Sequence, residues 1–294
     1  MSTPNPKSTS GPTPPPSADP PVRSINWKKL LWGTWNWKRP LKSLAFIYLT
    51  LCLFAWGCSN SMIFLPPAPY YSSETEGLEM LTTSKGKQVA ALWHPERQPG
   101  APVLLWSHGN AEDAGALHPL VIELQAEGFA VLAYDYPGYG LSEGSPNEQG
   151  CYEAIEAAYQ FLTQQQKIPP DEIVLVGQSV GSGPACWLAE REDTRALVLI
   201  SPFRSAYRTV TRIPIIPGDK FVNIKRIPHI EEPLLVIHGE NDRTISISNG
   251  RAVHDLHPGP KRFVAIPRAH HNNIWNLGFD TIIDNLKNLP TDPE

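Results

Sequence analysis

Cysteine is scarce in this chain, and so is any surplus of one charge. The four cysteines, Cys52, Cys58, Cys151 and Cys186, stand at wide spacings that form neither a metal-ligand motif nor a disulfide framework. Cys151 and Cys186 fit small buried positions. Lys and Arg total 25 against 29 Asp and Glu, a formal net charge of -4, and so close a balance offers nothing to a nucleic acid. Internal repeats are absent as well. With 294 residues and 41% hydrophobic content, the chain has room for one large α/β domain behind an N-terminal tail.

The tail departs in composition from everything after it. Residues 1–25 open with MSTPNPKSTSGPTPPPSADPPV, rich in Pro, Ser and Thr and too poor in apolar residues to offset the entropy of ordering. A disordered tail is expected there. Residues 26–65 form a second zone, in which Trp27, Trp32, Trp35 and Trp37 interleave with Lys28, Lys29, Lys38, Arg39 and Lys42. Tryptophan beside cationic residues suits the boundary between membrane and water. Leu44–Leu65, LAFIYLTLCLFAWGCSNSMIFL, then runs without a single charge. At about 1.5 Å per residue it matches a hydrocarbon core of about 30 Å, although Gly57, Ser59, Asn60 and Ser61 weaken its second half.

This zone predicts attachment to a membrane by one of two routes. In the first, a signal anchor, the basic flank holds the N-terminus in the cytoplasm and the domain lies beyond it, in a periplasm or lumen. In the second, AWGC ends a secretory signal and Cys58 becomes a lipidated N-terminus. A helix buried in the protein core is the alternative.

Residues 66–294 read as the folded domain. Short apolar runs are expected as strands at Gly77–Thr83, Gln88–His94, Val103–Ser107, Ala130–Asp135, Ile173–Gly177, Ala196–Ile200, Leu234–His238 and Phe263–Ile266. The later ones barely alternate, as strands buried on both faces do. Helices are expected at Leu117–Glu127, Asn147–Gln166, Val180–Arg191, Ser248–Leu256 and Asn273–Leu289, with Pro146 as a start signal and Gly128 as a stop. The alternation predicts right-handed βαβ units around a mostly parallel sheet. In such a sheet, ligands bind at the carboxyl ends of the strands.

The stretch EIVLVGQSVGSGPA (172–185) places a serine where a buried strand must turn sharply into a helix. A serine hydroxyl is a poor nucleophile unless it is exposed, paired with a base and faced by donors for the oxyanion it creates. Gly-x-Ser-x-Gly in this setting lifts Ser179 above the sheet and sets the N–H of Val180 toward a reacting carbonyl. Taken alone, the pattern also describes a glycine-rich turn whose serine caps a helix. The other strand ends separate the two readings. Asp242 follows LLVIHGEN and is favoured as the acid over Glu240. The base is His270 or His271, and His271 is the better placed. Asn110, in the loop after Ser107, offers a second oxyanion N–H. His108 and His238 read as loop-fixing histidines and Asp135 as a loop organiser. His94, His118, His229, His254 and His257 lack ligand spacing and read as surface or structural.

Together HGNA, YDYPGYGLSEG, VGQSVGSG, IHGENDRTI and AHHNN resemble the α/β-hydrolase superfamily in content, order and spacing, over about Gly77 to Leu289. The resemblance is to its small membrane-tethered branch, which includes protein-depalmitoylating thioesterases and uncharacterised bacterial hydrolases. It implies an α/β-hydrolase fold, an eight-stranded mostly parallel sheet flanked by helices. It also implies Ser179 as nucleophile, Asp242 as acid and His271 as base, with Asn110 and Val180 forming the oxyanion hole. Family members often carry glycine before the catalytic histidine, where this chain has His270.

The chemistry expected is hydrolysis of an ester or thioester through an acyl-enzyme, without metal or organic cofactor. A peptidase or an acyltransferase on the same residues, and a non-catalytic binding protein of the same fold, are the alternatives. Residues 201–232 are the one insertion able to cover the site, a small lid. Its Phe203, Tyr207, Ile213, Ile215, Ile216, Phe221 and Val222 suit the acyl chain of a small-molecule, acylated or lipid-like substrate, or else pack the lid onto the sheet.

Overall fold

The computed structural model of the chain describes residues 1–2, 11, 27, 37–95, 97–211 and 214–291. Most of the Pro-rich tail, much of the Trp-rich flank and Ile213 of the lid therefore lie outside the described residues. Contacts divide the chain into two units, Met1–Leu49 and Thr50–Glu294. The second unit groups residues 50–65 with the hydrolase-like domain.

Each apolar run expected as a strand forms one. In chain order they are β1 (Leu78–Thr82), β2 (Gln88–His94), β3 (Val103–Ser107), β4 (Ala130–Tyr134), β5 (Ile173–Gln178), β6 (Ala196–Ile200), β7 (Leu234–Gly239) and β8 (Lys261–Ile266). They make one eight-stranded sheet in the order β1-β2-β4-β3-β5-β6-β7-β8. β2 is antiparallel to both of its neighbours, and β3 to β8 pair in parallel. β3 to β7 are buried at nearly every position, as their unbroken apolar runs require, whereas the edge strand β8 is half-exposed. The exposure of β8 explains why it starts at Lys261, earlier than its apolar residues suggest.

Among the described residues the longer helices are α1 (Lys38–Ile63), α2 (His118–Ala126), α3 (Glu148–Gln160), α4 (Ser182–Ala189), α5 (Ile247–Leu256) and α6 (Ile274–Lys287). Local chemistry fixes their ends. The Asn147 side chain accepts from the Gly150 N–H at 2.9 Å and caps α3. Gly128, at φ +95°, turns the chain out of α2. The helix expected to reach Gln166 instead widens into a π-helical turn at Phe161–Gln165. Successive residues of each central strand face opposite cores. Leu175 and Leu199 join α3, α4 and α5 on one side, while Val174, Val176 and Val198 join α2 and α6 on the other.

α1 is different. It has 26 residues, enough at about 1.5 Å per residue to exceed a bilayer core of about 30 Å. It is long and apolar enough to cross a membrane, and none of its most apolar stretch is buried in protein. The core-helix alternative is therefore set aside. Cys151 and Cys186 are buried and free.

Candidate active site

The carboxyl end of β5 is the centre of the site. After Gln178 the backbone turns at Ser179, whose φ of +53° is the left-handed region that a residue with a side chain avoids. Such a conformation costs on the order of 1–3 kcal/mol and persists only where the surroundings over-determine it. Here they do. A Cβ on Gly177 would lie 2.7 Å from the Gly181 carbonyl oxygen and 2.8 Å from the Ala185 side chain. One on Gly181 would strike the carbonyl oxygens of Ser107 and His108. Only glycines let strand and helix approach so closely. Ser182 Oγ donates to the Ser179 carbonyl at 2.7 Å and accepts from the buried Asn223 Nδ2 at 3.1 Å, which pins the turn from below.

The serine lies at one end of a hydrogen-bonded row. His271 Nε2 is 3.0 Å from Ser179 Oγ, and His271 Nδ1 is 2.7 Å from Asp242 Oδ2. The Asp242 side chain is fully buried, and its Oδ1 accepts from the N–H groups of Thr244 at 2.9 Å and Ile245 at 2.8 Å. Burial by itself would raise the Asp242 pKa. Hydrogen bonding from His238, His271 and the Ile245 N–H outweighs it and holds the carboxyl well below its ordinary range. His238 Nε2 donates to the Ile245 carbonyl at 2.8 Å and lies 3.5 Å from Asp242 Oδ2, so it props the loop that carries Asp242. His270 is exposed, with Nδ1 2.8 Å from the Asn241 carbonyl, and Glu240 is exposed at the turn.

The loop after β3 closes the other side. His108 Nδ1 lies 2.7 Å from the Gly109 carbonyl and Nε2 3.3 Å from Asp135 Oδ1. Burial lowers the His108 pKa, but the Asp135 carboxylate more than compensates and the net direction is up. Asp135 also accepts from the Ala114 N–H at 2.8 Å and from the Tyr71 hydroxyl, so it gathers three segments. Asn110 and Val180 line the same cavity as Ser179. Val180 lies in the first turn after Ser179, where helix N–H groups have no partner within the helix.

Three supports escaped sequence reading. The Tyr139 hydroxyl donates to the Asn110 carbonyl at 2.8 Å, while Asn110 Oδ1 accepts from the Leu65 N–H at 2.8 Å. Glu112 accepts from the Gly109 N–H at 2.6 Å, and its Oε1 lies 3.4 Å from Gln178 Nε2, whose amide oxygen accepts from Trp275 Nε1 at 3.1 Å. Residues of α1 itself, Leu51, Ala55 and Met62 among them, line the cavity in front of Ser179. Tyr139 and Gln178 stand inside the motifs YDYPGYGLSEG and VGQSVGSG, and the α1 residues inside the apolar run, but nothing in those motifs marks them as supports of the site.

The comparisons agree with this fold. Residues 102–213 match the sequence profile described as alpha/beta hydrolase fold. Human alpha/beta hydrolase domain-containing protein 17B is 35% identical over 214 residues, 71% of this chain and 74% of that protein. The chain belongs to the alpha/beta hydrolase family. The Caenorhabditis elegans family member aho-3 is 38% identical over 182 residues, 58% of this chain and 52% of its own length. This alpha/beta hydrolase thus spans about half of aho-3. In fold it resembles the Pyrococcus furiosus esterase Pf2001, with a TM-score of 0.62 at 17% identity over 76% of this chain and 97% of that one.

Proposed function

We propose that this hydrolase-family protein cleaves carboxylic esters or thioesters through an acyl-enzyme on Ser179. The observation that carries the proposal is the continuous row Asp242–His271–Ser179, which opens onto an apolar cavity. His271 Nε2 accepts the Ser179 proton as Oγ attacks the substrate carbonyl carbon, and the carbonyl oxygen becomes an oxyanion. The N–H groups of Asn110 and Val180 are its donors; losing one such donor costs about 3 kcal/mol of transition-state stabilisation. Asp242 keeps the Nδ1 proton on His271 and stabilises the imidazolium. That imidazolium then protonates the leaving alkoxide or thiolate, and the acyl group stays on Oγ. Water, deprotonated by the same imidazole, attacks the acyl-enzyme and releases the acid.

An active-site-directed fluorophosphonate is expected to label the wild type and not Ser179→Ala. Turnover of a p-nitrophenyl ester should fall by at least about a thousandfold in that variant. Labelling that persists in Ser179→Ala removes the assignment. Under the same proposal α1 is the membrane anchor, and it continues through Cys58 to Ile63 as one helix. The basic flank keeps the N-terminus cytoplasmic and puts the domain on the far side. Protease added to intact cells should then digest the domain; protection of the domain reverses the orientation.

A further inference from the structure

The cavity before Ser179 has walls from two sources. One is the lid, through Phe203, Tyr207 and Val210; the other is α1, through Leu51, Ala55 and Met62. At about 390 Å³ it falls in the range of about 300–1,000 Å³ usual for small-molecule sites. From Leu51 to Met62 the helix advances about 16 Å, the reach of a long acyl chain and far more than an acetyl group needs. The two walls are tied together, because the Tyr207 hydroxyl donates to the Ala55 carbonyl at 3.3 Å. The chain leaving α1 is anchored too. Phe64 is buried against Tyr139 and Phe221, with ring centroids 6.5 and 6.0 Å apart. The next residue, Leu65, donates its N–H to Asn110.

A helix that only tethered the domain would have no reason to stand this close to the reacting serine. The exposure pattern adds to the point. Phe54 and Met62 are more than half exposed on α1, and Val210 of the lid is 81% exposed. Two elements that border one cavity thus both show apolar side chains outward, in a chain that carries a helix suited to lipid.

We infer that the cavity-lining face of α1, Leu51, Phe54, Ala55, Ser59, Met62 and Ile63, is part of the substrate site. It forms a wall along which the acyl chain of a membrane-resident ester or thioester lies as its carbonyl reaches Ser179. The inference rests on the serine-hydrolase reading, to which it adds a substrate class and a chain-length determinant. In this arrangement the mouth between lid and helix opens to the lipid, so an acyl chain need not cross water to enter. The Asn110 side chain links the oxyanion loop to the chain leaving α1, so the helix also helps to place the carbonyl.

The test uses the full chain in lipid nanodiscs and reads the ratio of kcat/KM for a dodecanoyl over an acetyl p-nitrophenyl ester. Ala55→Trp adds bulk inside the wall and should lower that ratio by about tenfold or more. Phe54→Ala removes bulk at a half-exposed position and should move the preferred chain to greater length. Trp56→Ala, on the same helix but outside the cavity lining, should leave the ratio within about twofold. A ratio unmoved by both wall variants overturns the inference, as does an equal change in Trp56→Ala. Fluorophosphonate labelling in the same preparations tells the two failures apart. Labelled wild type with unmoved ratios sinks only the helical wall. A wild type that neither labels nor turns over any ester sinks the hydrolase reading and the wall with it.

Discussion

Two stretches of this chain are similarly apolar and meet opposite fates. Ile173, Val174, Leu175 and Val176 of β5 have no exposed surface, whereas Phe46, Leu49, Leu53 and Trp56 of α1 are all well over half exposed. A strand leaves its N–H and C=O groups for neighbours to pair, so β5 is held between β3 and β6 and covered by helices on both faces. A helix satisfies its backbone from within. It can therefore turn every apolar side chain outward, provided that lipid rather than water receives them. Apolar composition fixes that a segment must be covered; backbone pairing fixes what can cover it.

The sharpest way to break that comparison is to put the same charge into both stretches. Leu175→Lys places an unpaired ammonium in the sheet and should cost more than about 4 kcal/mol, leaving no cooperative unfolding transition by circular dichroism. Leu53→Lys should leave the unfolding midpoint of Thr50–Glu294 almost unmoved but weaken membrane partitioning, by about 3 kcal/mol at a helix centre. If both variants unfold alike, α1 is a core element and the contrast is gone.

Smaller changes probe how rigid the buried region is. Gly181→Ala drives a methyl against the Ser107 and His108 carbonyls and should cost about 1–3 kcal/mol, read from the denaturant midpoint. Tyr139→Phe removes the hydroxyl that holds Asn110, and kcat for a p-nitrophenyl ester should drop about tenfold while KM stays nearly constant. An unchanged kcat would show that the loop after β3 stands without it.

At neutral pH the smallest effect is that of His257, which shows only as pH falls. Burial, then Lys261, lowers the His257 pKa from 6.5 to about 4, so the fold holds the neutral ring. A lowered folded-state value means that its contribution is complete above about pH 6.5 and is lost as pH falls toward about 4. His257→Asn should flatten the slope of unfolding free energy against pH across that window. A slope identical to wild type would locate the titration elsewhere.

What was legible depended on how far apart in the chain the cooperating residues lie. The strands were read within a residue or two, because period and apolarity are local. The turn at Ser179 was legible because its glycines stand within a few positions of it. The choice between His270 and His271 was less so. Adjacent residues in an irregular loop point in different directions, and only the folded loop sends one ring to Ser179 and the other to the Asn241 carbonyl. The Gln178–Trp275 brace joins residues 97 positions apart, and no spacing rule announces it. The apolar run of α1 was read as an anchor from its length; its part in the cavity left no trace in its composition.

By itself the sequence determined which segments pair as buried strands, where the chain must bend at a glycine-flanked serine, and which helix suits lipid. Those are consequences of side-chain period, backbone freedom and transfer free energy, all set by neighbours in the chain. Only the tertiary structure decided which histidine meets the serine, what steadies the loop after β3, and that α1 borders the cavity. Such contacts depend on distances of a few ångströms between residues that the fold, not the chain, makes neighbours.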